Sequence, residues 1–407
     1  MHKQTQTKLF DFSDVGLDFC AGSKNLFPDR FKKMLAQGYN EKTANSVTIS
    51  GSTITLTFGV THGYVADRVL QVTAAGGFNK EVYIDSVTEN AVTCTVLDGV
   101  TSGLTGTVTT KIASLGWEIV YEQAHIHIYK FKHIDDTDMY ARLCFQNATA
   151  AGNRNCIAVG IGRTVDLALG HITDPNCMPD LATCATVADA TSNLRWDFTN
   201  STAATFNNYT YSQGFSTFGQ GKIVGSPYHL IAMYRLSSGS GLNAFCGVVP
   251  FISSYENINY PALLCSNNGA ATTAASYQIG AGRILVGKIL CGTAYTSSNG
   301  TIYPTNTMAS SFLSNKVDGF NTTTCEPYRL YEDETNQFLG CFAGGIFHVL
   351  YGSSDRPNIQ NESESPTLTL DIDFKNLVFI QGISSGGSSS IPRHYIAVPV
   401  EEIKIGY

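Results

Sequence analysis

Charge is scarce in this sequence. Of its 407 residues, 14% are Asp, Glu, Lys or Arg, against roughly 25% in an ordinary soluble globular protein. The 26 basic residues are scattered and the net charge is −7. No Lys/Arg run or basic-aromatic stripe forms the electrostatic footprint of a nucleic-acid binder. Long apolar runs are missing too: none approaches the roughly 18 residues a membrane span requires. Met1-His2-Lys3-Gln4-Thr5 leads into Leu9-Phe10-Asp11-Phe12 without the apolar stretch of a secretory signal. The expectation is a chain made and kept in solution, with no nucleic-acid partner and no membrane insertion.

Helical periodicity is almost absent. One run stands out, where Pro28 suits a first helical turn, Phe31, Met34 and Leu35 share a face, and Gly38 offers a left-handed end. This predicts a short helix over about 28–37. No strand–helix–strand alternation and no fixed-period repeat follows. Cysteine is plentiful but unpatterned. The 11 residues are odd in number, irregularly spaced and include no Cys-x-x-Cys. They read as reduced, buried, small hydrophobes. The nearest pair, Cys177 and Cys184, leaves a disulfide or half of a metal site open, although its spacing matches no zinc signature.

What the chain has instead is Gly (38), Tyr (20) and Phe (22), with tracts of Ser, Thr, Asn and Ala. Such residues suit pleated sheets, tight turns and surfaces later covered by other subunits. Val47 and Ile49 alternate with polar residues, Gly51-Ser52 turns the chain, and Ile54, Leu56 and Phe58 alternate again. Further strands are expected at 68–73, 81–87, 91–97 and 106–112, separated by turns at Gly76-Gly77, Glu89-Asn90 and Asp98-Gly99. Residues 45–112 therefore read as a small β-sandwich or barrel inserted into a sandwich-like main domain, 1–44 plus 113–407. In the main domain strands are expected at 117–121, 124–134, 139–145, 228–236, 243–252, 283–290, 344–351, 367–374, 377–381 and 395–400. Residues 147–220, 353–366 and 384–390 read as polar loops. The fold class is mainly β.

Several residues invite a chemical reading. Gly382-Ile383-Ser384-Ser385-Gly386 has the spacing of a serine-hydrolase elbow, but Gly387-Ser388-Ser389-Ser390-Ile391-Pro392 is a poor start for the helix that must follow. His125, His127 and His133 share a strand face with Tyr129 and Phe131, and Asp135, Asp136 and Asp138 come next. A metal would need a further carboxylate or histidine to converge there. An interface strand ending in an acidic turn accounts for the same residues. Gly160-Ile161-Gly162 fails the dinucleotide fingerprint, because Val165 stands where the third glycine belongs. Asp371 and Asp373 share a strand face without marking a glycosidase pair. The Asn-x-Ser/Thr triplets, at Asn147 and Asn321 among others, follow from composition. No catalytic residue, cofactor or bound metal is expected, and the chain is not read as an enzyme.

The order of several short motifs resembles a family of tailed-bacteriophage virion structural proteins. They are a helix ending in Gly38-Tyr39, a His62-Gly63 segment, Gly116-Trp117 before a strand, a basic-aromatic strand running from Tyr129 into Asp135-Asp136, Ala141-Arg142, and Gly344-Gly345-Ile346-Phe347-His348. The resemblance covers 27–146 best. It implies a non-enzymatic subunit of the tail, baseplate or collar, located in the virion after assembly in the host bacterial cytoplasm. Its partners would be other virion proteins and copies of itself. Adhesion to a host-surface glycan and decoration of the capsid are the alternatives.

Overall fold

The computed structural model describes residues 7–20, 23–146, 156–192, 194–198, 221–235, 243–265, 284–293, 325–349, 367–371, 376–383 and 394–400. The protein is mainly β, and every strand pair among the described residues is antiparallel. The expected helix begins at Leu26, runs to Lys32, and continues as a wider π turn over Lys33–Gln37. Gly38 ends it with φ +76, where a Cβ would lie 2.3 Å from Ile112 O, so no other residue fits. Two shorter helical turns, Pro179–Thr183 and Val187–Asp189, follow later.

The strands expected between 45 and 112 form at Ser46–Ser50, Thr53–Thr57, Val69–Ala74, Asn79–Val87, Ala91–Thr95 and Val108–Ile112. They share a seven-stranded sheet with Tyr39–Ala44, which the sequence placed outside the insert. That strand occupies one edge, and Ser46–Ser50 occupies the other. A single residue, Asn45, joins the two edges, so the sheet must curl until they approach. Ile54, Leu56, Leu70, Val72, Val82, Ile84, Val92 and Cys94 fill the inside of the curl without solvent exposure.

A ten-stranded sheet dominates the remainder. Its order is Lys8–Asp11, Gly221–Ser226, His229–Arg235, Asn243–Val249, Ala262–Leu264, Ile284–Val286, Ile289–Gly292, Arg329–Glu332, Phe338–Phe342 and Phe251–Ser253. The same geometric argument applies, because Pro250 alone separates the strand Asn243–Val249 from the far edge strand Phe251–Ser253. Residues from Leu230 to Tyr234 are buried on both faces, which explains their unbroken apolar run. One covering layer is the five-stranded sheet Arg195–Asp197, Cys156–Gly162, Asp138–Phe145, Ile126–Lys132 and Glu118–Gln123. It meets the large sheet where Phe198 stacks on Tyr234, 4.6 Å between centroids, and where Trp196 Nε1 donates to Leu264 O at 2.8 Å. The C-terminal sheet, Cys325–Pro327, Phe347–Val349, His394–Pro399, Asn376–Ile383 and Thr367–Asp371, is tied on by Gln381 Nε2 donating to Ala244 O at 2.8 Å.

One expectation fails. Residues 156–198, read as surface loop, contain the fully buried strand Cys156–Gly162 and the buried Trp196 and Phe198. Both faces of that strand are covered, so Ile157, Val159 and Ile161 alternate with Cys, Ala and Gly and not with the polar residues that mark a half-exposed strand. The expected loop stretches 147–155, 199–220, 353–366 and 384–390 lie outside the described residues.

The insert and body meet over Asp14. Arg68 grips its carboxylate bidentately, Nε to Oδ2 at 3.0 Å and Nη2 to Oδ1 at 2.9 Å. Tyr39 Oη and Asp11 N donate to the same Oδ2, at 2.7 and 3.0 Å. Lys8 bridges nearby from the body strand to Glu81 and to Ser114 O. Chain entry and exit are adjacent: Tyr39 pairs with Ile112, and Leu115 N and Trp117 N donate to Met34 O and Leu35 O. Removing one partner of a buried pair leaves the other charge uncompensated. Asp14→Ala is therefore expected to lower the unfolding free energy by about 3–5 kcal/mol, read by urea denaturation. The double change Asp14→Leu with Arg68→Met should recover most of that loss.

Candidate functional site

The histidine strand is the densest collection of reactive side chains that the sequence offers. The strand Ile126–Lys132 turns His127, Tyr129 and Phe131 inward, as the period of two requires. His127 Nδ1 lies 3.0 Å from Tyr129 Oη, and its ring packs edge-on to Phe145. His125 sits outside the strand with Nε2 2.7 Å from Ala185 O. His133 turns to another neighbour, with Nε2 2.6 Å from Asn259 Oδ1. The acids diverge as well. Asp135 accepts from Thr137 and Asn259, Asp136 accepts from Tyr228 Oη at 2.8 Å, and Asp138 pairs with Lys132 at 2.7 Å. Burial pushes the Asp135 carboxyl up, but the hydrogen bonds from Thr137 and Asn259 outweigh it and hold the group at about 2. Each group is bonded internally, and no three metal-binding side chains converge among the described residues.

The other motifs resolve into packing. Gly160 and Gly162 lie in the strand Cys156–Gly162, where added Cβ atoms would stand 2.8 Å from Leu181 O and 2.4 Å from Ile172 Cγ2. The glycines admit the segment 172–181 against the sheet. His62 accepts Tyr64 N at Nδ1 and meets Thr88 O through Nε2, pinning the loop after Phe58. Trp117 stacks on Phe131 at 4.6 Å and donates to Ser226 O. Gly345 packs against the ring of His229. Cys177 and Cys184 are both buried free thiols. Ser384, Asp373, Asn147 and Asn321 lie outside the described residues, and Asp371 closes a strand.

Three features escaped the sequence reading. Asp14, Tyr39 and Arg68 come from separate elements and meet only in the fold. Asp174 anchors a second junction, accepting Tyr260 Oη and the backbone N–H groups of Arg163 and Asn176, while the Arg163 guanidinium lies 5.1 Å from the Tyr260 ring. Arg142 is fully buried and holds Gly170 O and Cys184. Its place within Ala141-Arg142-Leu143-Cys144-Phe145, a charge in the middle of an apolar strand, was the available signal.

Exposed apolar residues gather at a few places. Val15 packs beside Gly63 in the loop that carries Val60 and Val65, and these valines are 54%, 64% and 46% exposed. Leu167 and Leu169 stand out from the tip of the hairpin joining Val165–Asp166 to His171–Ile172. Ile252, Tyr255 and Phe338 are exposed along the last two strands of the large sheet, where Gln337 donates to Tyr255 Oη. Among the described residues no helix is long and apolar enough to cross a membrane.

Burial holds two histidines neutral, pushing His127 down to about 4 and His229 down to about 3. Below the ordinary value of 6.5 the unfolded chain takes up protons that these folded rings refuse. Stability is thus complete above that value and is lost as pH falls towards 4, by about 1.4 kcal/mol per pH unit for each ring. Urea unfolding followed across this window should show that slope, and His127→Phe should reduce it by about one proton's share. Comparison with protein-family models, curated proteins and solved structures found no match to this chain.

Proposed function

We propose that the chain is a structural subunit of a tailed-bacteriophage particle, placed in the tail, baseplate or collar, and that it works by assembly with other virion proteins and with copies of itself. The observation that carries this reading is the contrast between its interior and its surface. Histidines, acids and glycines that resemble reactive groups are occupied in holding sheets together. Apolar side chains, meanwhile, stand uncovered at loop tips and a sheet edge. Clustered exposed apolar residues mark protein contact surfaces, and the low charge of the chain suits surfaces that become covered. The ordered motifs between 27 and 146, which resemble those of virion proteins, take packing and hydrogen-bonding roles in this fold, and that supports the reading.

The rings of Tyr255 and Phe338 favour a second role, adhesion to a host-surface glycan. Exposed rings offer flat apolar faces to sugar C–H groups, and Gln337 and Asn336 beside them supply amides for the hydroxyls. Retention on a glycan array that Tyr255→Ala abolishes would favour this role over a purely internal one.

The assembly reading is tested in particles. Antibodies against the purified chain should label the tail end of virions produced by the phage that encodes it. A double variant, Val60→Asp with Val65→Asp, should keep the parent melting temperature in isolation and be incorporated at sharply reduced occupancy. Absence of the parent chain from purified virions would overturn the proposal.

A further inference from the structure

The seven-stranded sheet ends on Ser46–Ser50, and nothing guards that end. Soluble proteins protect their end strands with charge, proline, bulges or shortness, because an open row of backbone groups invites another strand. The other end strands among the described residues follow this rule. Tyr39–Ala44 carries Glu41, Lys42 and an irregular register, and Glu118–Gln123 carries Glu118, Glu122 and a register shift. Lys8–Asp11 and Thr367–Asp371 are charged as well. The remaining ends are strands of two or three residues. Ser46–Ser50 has none of these devices, and residues 45–58, which span its hairpin, include no charged residue and no proline.

The hairpin register shows which groups face the open side. Ser50 pairs with Thr53 across the turn Gly51-Ser52, and Thr48 and Ser46 pair in step with Thr55 and Thr57. Bonded and non-bonded positions alternate along an antiparallel pair. Ser46, Thr48 and Ser50 therefore spend their backbone groups on the neighbouring strand, while Val47 and Ile49 present theirs outward. The curl brings Tyr39–Ala44 round to Asn45, yet no backbone group among the described residues bonds to the open side. Side chains divide in the same way. Val47 and Ile49 share the inner face with Leu56 and Ile54, and Ile49 is still 44% exposed there. Ser46, Thr48 and Ser50 lie exposed on the outer face beside Thr57, Thr55 and Thr53.

We propose that Ser46–Ser50 is a homotypic contact, in which the strands of two copies pair antiparallel about a two-fold axis at Thr48 and join two sheets into one. The order Ser-Val-Thr-Ile-Ser is its own reverse in residue type. This register therefore sets Ser46 against the partner's Ser50, Val47 against the partner's Ile49, and Thr48 against the partner's Thr48. Val47 and Ile49 are also the residues with outward backbone groups, so each such pair exchanges N–H···O bonds. Threonine and β-branched aliphatic neighbours stabilise a cross-strand contact, and no like charges meet. The partner's Val47 covers the exposed side of Ile49. A two-fold contact uses the strand once, and Glu41 and Lys42 guard the opposite end of the sheet, so the assembly closes as a dimer. The inference rests on the self-assembly in the proposed function and names its surface.

The test is disulfide trapping of the full-length chain carrying Thr48→Cys. The axis places the two Cα atoms of this position about 4.5 Å apart, within the span of roughly 4.4–6.8 Å that a disulfide bridges. Mild oxidation with copper phenanthroline should give a covalent dimer whose linkage maps to the substituted position. The parent chain should stay uncrosslinked, and so should Ser46→Cys, because Ser46 meets the partner's Ser50 and not its own counterpart. Thr48→Lys, at an exposed position, sets like charges opposite each other. It should turn a sedimenting dimer into a monomer at an unchanged melting temperature. A Thr48→Cys chain that stays monomeric under oxidation would overturn the proposal. Equal crosslinking through Ser46→Cys, or a dimer that persists with Thr48→Lys, would do the same. Any of these results would leave the antibody labelling of virions, and the structural-subunit reading it tests, to stand or fall separately.

Discussion

The Asp14 carboxylate is the point on which the arrangement of the two large sheets depends. It follows directly on the strand Lys8–Asp11, which is paired with Gly221–Ser226 at the edge of the ten-stranded sheet. Its oxygens are taken up by Arg68 from the insert, Tyr39 from the insert's edge strand and Asp11 N from the body. An apolar contact would tolerate sliding between two curled sheets, whereas a bidentate fork accepts one orientation. Nearby charges reinforce it. Burial pushes the Asp11 carboxyl up, but the Lys222 ammonium together with hydrogen bonds from Ser13 outweighs it and holds the group below the usual range. That pair staples the N-terminal strand to its neighbour in the large sheet.

Behind this junction the core is continuous. Phe27 and Phe31 on the helix meet Phe145 from the five-stranded sheet and Phe198 from the segment leading back to the large sheet, with ring centroids 5.5–5.6 Å apart. Tilted and edge-on rings of this kind add specific geometry to a large apolar burial. The helix thus packs its apolar face on the five-stranded sheet and the segment that leaves it, which explains why that face was so plain in the sequence.

The insert was legible because its strands are buried on one face only. Alternation at Ile54 and Leu56, with Gly51-Ser52 before them, encodes both strand and turn. The strand Tyr39–Ala44 was missed because, after Tyr39, its residues are Asn, Glu, Lys, Thr and Ala, and their pairing is supplied by Val108–Ile112 far along the chain. Cys156–Gly162 was missed for the opposite reason, since both its faces are buried and Ile157, Val159 and Ile161 alternate with small residues where a half-exposed strand has polar ones. His127, Tyr129 and Phe131 were legible as a strand face, whereas His125 and His133, expected on that face, lie just outside the strand Ile126–Lys132. The partners of those two were not legible, because Asn259 and Ala185 reach them only through the tertiary fold. The same limit hid Cys184 from Arg142, although the charge within an apolar strand was in plain view.

The adjacency of entry and exit at the insert bears on how such a chain can change over generations. Met34 O and Leu115 N are 2.9 Å apart, so the helix end and the start of the following strand already touch without the module between them. A short link between Gly38 and Leu115 would therefore close the body without the segment 39–114. The body would bear a trace of that loss. Asp14, covered by the insert in this protein, would then face water, where a carboxylate requires no partner.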